Sequence, residues 1–309
     1  SAGIEETAAT FVRRFFAFSA GPLINVFVGL LSVPVTTWLL VPDELGRASM
    51  YTTAQATITI FLFLGLDNAF IREFRATDDQ ATLLKHSFFP PLAISIVVAA
   101  LTLAFYSPLS TLLFGEADFA AMALLAVSFP AMILDRFTSA IVRMQERAKL
   151  FSAAYVAKRV LTFLILVAFL LSIQRSYHGV LLANVGSSLL VALFQFLKTR
   201  PHWRFGPGWN RDLLKGLLKF GLPLVPANAL AWVFNSLDKI AIRAYADFTE
   251  IGIYAGAFKI VALMTIVQTS FNTFWVPTSY RWYESGYPQR NFQRVSDTLF
   301  SAMAVLFGF

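Results

Sequence analysis

Between Glu250 and Arg281 the chain runs for about thirty residues with one charged side chain, Lys259. That run exceeds the ~20 apolar residues needed to cross a bilayer, so the segment belongs in hydrocarbon. A lysine at the centre of a spanning helix costs roughly 2.5–3.5 kcal/mol on insertion scales, so one that persists faces water, a partner or a ligand. The preceding apolar segment carries Asp238 and Lys239 in the run Asn235-Ser-Leu-Asp-Lys-Ile240. Charges inside membrane-length segments point to transport rather than to soluble chemistry.

Composition agrees. The chain is 57% hydrophobic and 14% charged, against about 25% charged in soluble domains, which makes it a polytopic membrane protein. Its 32 Phe residues are expected to serve lipid-facing helices. With no cysteine, disulfides, thiolate metal sites and Cys nucleophiles are excluded. His86, His178 and His202 fall in expected loops or helix ends and suggest no metal site. No cofactor is expected, beyond a coupling ion of unspecified identity, Na⁺ or H⁺.

Apolar runs predict eight spans and the start of a ninth, at about 15–40, 47–70, 88–107, 118–136, 151–173, 178–197, 219–243, 251–277 and 296–309. The first is too long for a signal-peptide core. The last stops short of a full crossing, so the sequence is expected to be C-terminally incomplete. Alternate gaps are basic: Arg72, Arg75 and Lys85; Arg136 through Arg159; Lys198 through Lys219; Arg281, Arg290 and Arg294. The other gaps are short and mostly acidic, at Asp43/Glu44, Glu116/Asp118 and Asp247/Glu250, with Arg175 as the exception. Together with Arg13 and Arg14 this places the N-terminus in the cytoplasm by the positive-inside rule. The +7 balance is spread over alternating loops that suit lipid headgroups, not gathered into one surface for nucleic acid.

Two regions echo one another. Leu39-Leu-Val-Pro-Asp-Glu-Leu-Gly46 leads to Asp67-Asn68-Ala-Phe-Ile-Arg72, and Asp247-Phe-Thr-Glu-Ile-Gly252 leads to Asn272-Thr-Phe274 and Arg281. Gly46 aligns with Gly252 and Asn68 with Asn272. Repeats starting six helices apart share one orientation, and parallel repeats build two lobes around an axis normal to the membrane, with the substrate between them. The stretch 200–218, with Trp203, Phe205, Trp209 and several basic residues, reads as an interfacial linker.

LVPDELGRASMY, GLDNAFIREF, LKFGLPLVPANALAWVFNSLDK and EIGIYAGAFKI resemble the signature segments of the polysaccharide biosynthesis proteins, the O-antigen and exopolysaccharide flippases of the multidrug/oligosaccharidyl-lipid/polysaccharide superfamily. The resemblance implies an all-α two-lobed membrane fold: a six-helix N-lobe over 1–199, the linker over 200–218, and a partial C-lobe over 219–309. It also implies an undecaprenyl-pyrophosphate-linked oligosaccharide as substrate, flipped across the bacterial inner membrane by alternating access. The polysaccharide polymerase and chain-length machinery join membrane lipids as implied partners.

Carrying a pyrophosphate through a low-dielectric core calls for cations, Arg for bidentate contacts and Lys as a point charge. At 1.5 Å per residue Lys259 sits ~15 Å into its helix, near the midplane, whereas Lys239 lies ~30 Å along its span, near the outer rim. Lys158 and Arg159 stand two to three turns inside theirs. These four are the candidate substrate-binding residues. Arg14, Arg72, Asp67 and Asp238 are candidate gate or headgroup residues. The bland alternatives are ion pairing of Lys259 or Lys239 with Asp238, snorkelling of Lys158 and Arg159, and a helix-end cap for Asp67. A drug/cation antiporter of the same superfamily would want carboxylates deep in the N-lobe, and the spans as drawn hold none. A membrane-embedded polymerase or glycosyltransferase would want a large outward loop, and the outward loops are short. A non-transporting scaffold is the remaining alternative. On the register pairing Asn68 with Asn272, the first-half counterpart of Lys259 is the uncharged Gln55.

Overall fold

The computed structural model describes residue 34, residue 36, residues 38–145, 147–206 and 208–258, and residue 293. The candidates Lys259 and Arg14, most of the first and eighth spans and all of the ninth lie outside the described residues. Those through Ala257 form one compact unit; the second unit, Phe258–Phe309, includes only Phe258 and Gln293 of them.

The protein is an all-α polytopic membrane protein, with no strand among the described residues. Its helices are α1 (Pro42–Phe63), α2 (Leu66–Glu73), α3 (Gln80–Ala104), α4 (Tyr106–Phe114), α5 (Phe119–Met144), α6 (Ala148–Ser172), α7 (Tyr177–Thr199), α8 (Arg211–Gly221), α9 (Leu224–Tyr245) and α10 (residues 248–258). Among the described residues five are long and apolar enough to cross a membrane, α8 and α9 counting together, and the bent pair α1–α2 makes up to six. They match the second to seventh spans expected from sequence.

Local chemistry sets the helix boundaries. Asp79, Asp118 and Asn210 cap α3, α5 and α8 by accepting from the backbone N–H of Thr82, Ala121 and Leu213, each satisfying an orphan donor. Between α1 and α2, Leu64 (φ 50°) and Gly65 (φ 69°) both take left-handed conformations, and the helix axis turns by 54°. Only glycine adopts that geometry without strain, so Gly65 is the residue that permits the turn.

The helices define an acidic end (Asp43, Glu44, Glu116, Asp118, Asp247, Glu250) and a basic end. Among the best-packed helices, α5 lies against α3 and α7, while α6 leans chiefly on α7. Phe137 of α5 is fully buried and meets Phe70 at 5.7 Å and Phe88 at 5.5 Å, both nearly edge-on. Phenylalanine therefore serves the bundle interior as well as lipid, a revision of the expectation from composition. Lipid is as apolar as these rings, so it is packing rather than exclusion from water that holds them.

The linker is a docked structure. After a 3₁₀ turn over Arg200–Trp203, Trp203 packs on Phe88 (5.0 Å) and Phe196 (5.1 Å). Lys85 Nζ donates to the carbonyls of Gly206 and Gly208 at 2.7 and 2.6 Å. His86, 1% exposed, sits between Thr82 O (2.8 Å from Nδ1) and the Asn210 N–H (2.7 Å from Nε2). Those partners require a neutral ring that donates from Nδ1 and accepts at Nε2. Trp203 is thus half-buried against the core, while Trp209 is exposed.

Two glycine crossings join α8–α10 to the earlier helices. A Cβ on Gly46 would run into the carbonyl of Phe248, and one on Gly252 into the carbonyl of Pro42. Each carbonyl lies four residues before the opposite glycine, the reciprocity of a local two-fold axis, and these are the two glycines that the repeat aligns. Gly65 and Gly221 make a second backbone-to-backbone contact. Small residues at such crossings let membrane helices approach closely. Gly46→Val and Gly252→Val are expected to destabilise by about 1–3 kcal/mol each or more, since backbone must move. Gly216→Ala, with nothing within 4 Å, should be neutral or stabilise by up to about 1 kcal/mol. Thermal unfolding of the detergent-solubilised protein measures both.

Candidate functional site

A cavity of about 560 Å³ lies inside the bundle, lined by polar residues of α1 (Gln55, Thr59), α2 (Asp67, Asn68), α5 (Ser128, Asp135, Arg136), α6 (Lys158), α7 (Asn184, Ser188) and α9 (Asn228). Polar groups at membrane depth have no water to fall back on, so they must be paired or line a wet space. Most are paired. Arg136 donates from Nε and Nη2 to one oxygen of Asp67, at 2.9 and 2.7 Å. Lys158 Nζ contacts Asp135 at 2.6 Å and Ser188 Oγ at 3.3 Å. Measured along their helices, Asp135 lies ~14 Å from the end of α5 and Lys158 ~15 Å from the start of α6, so the pair is level and close to mid-bilayer.

A groove of about 440 Å³ adjoins this cavity toward the basic end, between α5 and α6 with α7 as its floor. It shares Asp135, Arg136, Lys158 and Asn184 with the cavity and adds Arg143, Arg159, Tyr155 and Gln195. Gln195 is 2% exposed and accepts from Thr138 (3.1 Å) and Ser139 (3.0 Å). Thr162 and Ser187 share a hydrogen bond at 2.7 Å. Among the described residues no three His, Asp or Glu side chains are grouped as a metal site requires.

At the acidic end, side-chain contacts tie the described helices together. Arg47 bonds Asp43 (3.0 Å) and Glu116, and lies over the rings of Tyr177 (5.8 Å) and Phe248 (5.3 Å). Phe248 takes Arg243 on its ring at 4.3 Å. Asp118 holds the Tyr177 hydroxyl and His178 Nε2 (2.7 Å). Partial burial alone pushes the Asp118 carboxyl up, but bonds from Tyr177, Ala121 N–H and His178 together hold it below the usual carboxylate value. A depressed folded pKa contributes stability that is fully present above the unfolded value, ~3.9, and lost as pH falls through the folded one. The stability difference between wild type and Asp118→Asn, followed by unfolding from pH 7 downward, should hold constant to about pH 4 and shrink below it.

Among the residues singled out from sequence, Lys158 and Arg159 come together in the groove, and Lys158 also lines the cavity. Lys158 is held by Asp135, rather than snorkelling to the headgroups. Asp67 lies in the first turn of α2, as a capping role requires, yet its carboxylate is 7% exposed and spent on Arg136. Arg72 stacks over Phe220 of α8 at 4.5 Å, beside the Gly65–Gly221 crossing. Asp238 accepts from the Tyr254 hydroxyl at 2.6 Å instead of pairing with Lys239. Lys239 makes no hydrogen bond or ion pair among the described residues. Gln55, the counterpart of Lys259, lines the cavity.

Asp135 and Arg136 escaped the sequence reading. Ending the fourth span at 136 put both at its very end, but α5 runs on to Met144 and carries them two turns inside. The apolar run Ile141-Val142 past the charges is the signal that marks the continuation. The expectation that the spans lack a deep carboxylate is accordingly corrected: Asp67 and Asp135 both line the cavity. Arg136→Gln would strand the buried Asp67 carboxylate and is expected to destabilise by about 3–5 kcal/mol. Asp67→Asn leaves a guanidinium that is 53% exposed and should cost about 1 kcal/mol or less. Unfolding of both single variants and the double variant measures this asymmetry, and the double should cost less than the sum.

Comparison with solved structures finds a likeness to one described as the outward-facing conformation of a multidrug resistance MATE family transporter of the MOP superfamily. It has a TM-score of 0.52 and 15% identity, over 87% of this chain and 67% of that one. At that identity the likeness is one of fold. No curated protein matches. A family model described as "Polysaccharide biosynthesis protein" matches residues 35–300, well over half of the chain. With its membrane-length helices and the fold of a MOP-superfamily transporter, the chain belongs to the polysaccharide biosynthesis protein family.

Proposed function

We propose that this protein is a secondary transporter that flips an undecaprenyl-pyrophosphate-linked oligosaccharide from the cytoplasmic to the periplasmic leaflet of the bacterial inner membrane, by alternating access. The observation that carries the reading is the polar cavity in a membrane-length bundle, with Lys158 and Arg136 at mid-depth and the groove's further cations beside it. Family membership supports a role in polysaccharide synthesis. The basic end is then cytoplasmic, with the N-terminus, and the two lobes divide at the linker over 200–218. The pyrophosphate is held by Lys259 and Arg159, with Lys158 beside them. Arg14, Arg72 and Asp67 serve the cytoplasmic gate, while Asp238 and Lys239 lie at the outer rim. The polymerase and chain-length machinery act on the flipped product, and Na⁺ or H⁺ drives the cycle.

One observation favours a second reading. Asp67 and Asp135 are carboxylates in the N-lobe cavity, as a drug/cation antiporter would want. Both are neutralised by Arg136 and Lys158, however, which leaves the groove cations to set the sign and supports an anionic substrate.

Translocation of lipid-linked oligosaccharide by the full-length protein separates the two. Lys158→Ala and Lys259→Ala should each reduce flux about tenfold or more at normal expression, with Lys259→Arg retaining most of it. Full activity of Lys259→Ala would remove that residue from the site. Efflux of a cationic dye without oligosaccharide flux would establish the antiporter instead.

A further inference from the structure

The cations around the cavity fall into two classes. Arg136 and Lys158 are committed to Asp67 and Asp135. Arg143 and Arg159, on the facing helices α5 and α6, line the groove and make no hydrogen bond or ion pair among the described residues. Between the two classes stands the Lys158–Asp135 pair, whose residues line both spaces. The pair lies, with Arg136 and Asn184, where groove and cavity meet. Two guanidiniums without a hydrogen-bond or ion-pair partner among the described residues, in one recess, match the oxygens of a phosphate, which each can take in bidentate fashion. Tyr155 stands on the same wall, stacked on Phe151 at 6.5 Å and 19°.

We propose that the groove is a reception site for a phosphate or pyrophosphate group, with Arg143 and Arg159 as its anion-binding residues. We further propose that Asp135 is the exchangeable counterion of Lys158, replaced on the ammonium by a phosphate oxygen as the group moves into the cavity. The proposal rests on the flippase reading and deepens it. Exchanging one oxyanion for another on the same ammonium avoids ever leaving Lys158 unpaired at mid-bilayer, the state that is expensive, and the displaced Asp135 carboxylate, which lines both cavity and groove, is taken up by their water. Because Asp135 stays beside Lys158, the arriving anion competes with a tethered carboxylate. That keeps its binding weak enough for release, as a pathway with several sites requires. Asp135 is then a positioning residue that sets affinity without being the site's anchor.

Binding of farnesyl pyrophosphate and of inorganic pyrophosphate to the full-length protein in phosphatidylcholine nanodiscs tests this. Arg143→Gln/Arg159→Gln should raise the Kd for farnesyl pyrophosphate about tenfold, with unfolding temperature unchanged because both side chains are exposed. Asp135→Asn should lower that Kd several-fold and slow dissociation, a direction that simple structural damage would not produce. Unchanged affinity in the double arginine variant would overturn the groove site while leaving the flippase reading intact. Absence of farnesyl pyrophosphate binding in the wild type would overturn both. Inorganic pyrophosphate bound as tightly as the prenyl compound, and lost with the same arginines, would assign the site to free phosphate and overturn the lipid assignment. Weaker or unchanged binding in a folded Asp135→Asn variant would overturn the counterion exchange.

Discussion

A charge at mid-bilayer must be paired or wet, and the structure is organised around meeting that requirement in both ways. Lys158 and Asp135 neutralise one another between α6 and α5, and Arg136 and Asp67 do so between α5 and α2. Both pairs therefore tie helices together as well as balance charge. Around them Gln55, Asn68, Ser128, Asn184 and Ser188 extend a polar lining through helices that are otherwise apolar. Without the pairs, these cations would either pull their helices toward the headgroups or draw water into the core.

The glycine crossings give the second half of the architecture. Gly46 and Gly252 bring α1 and α10 into backbone contact at the acidic end, and Gly65 and Gly221 bring the α1–α2 turn against the end of α8. Contacts with no side chains between them are short and have little to interlock, so they can separate without repacking a core. Arg47 and Arg243 on Phe248 at one end, and Arg72 on Phe220 at the other, add weak, reversible attachments beside each crossing. Such contacts suit the alternating access proposed for this transporter.

Much of this was legible in the sequence. Apolar run lengths defined the membrane class and the spans from α1 to α9, and the repeat picked out Gly46 and Gly252 as equivalent. It gave no sign that they touch, because a repeat defines symmetry but not distance. Hydropathy cut the fourth span short: Asp135 and Arg136 look like a helix end when charge alone ends a helix, and only their partners on other helices make them tolerable inside. The same limit explains Asp67, whose place near the end of the expected span 47–70 suggested a helix-end cap. Its partner Arg136 is far away in sequence, and pairing of that kind is set by tertiary packing. Lys158 and Arg159 stood out because α6 cannot cross the bilayer without enclosing them.

The central claim is that the cavity around the two ion pairs is a wet, anion-accepting path inside the bilayer. The sequence contains no cysteine, so single introduced thiols report on it directly. Asn184→Cys, lining both cavity and groove, should react with a membrane-impermeant thiol reagent in sealed vesicles and be protected by a prenyl pyrophosphate. Leu190→Cys, on the outer face of the same helix at 52% exposure, should stay unreactive in lipid. An Asn184→Cys thiol that resists the reagent from both sides of the membrane, or one that reacts no faster than Leu190→Cys, would contradict the account.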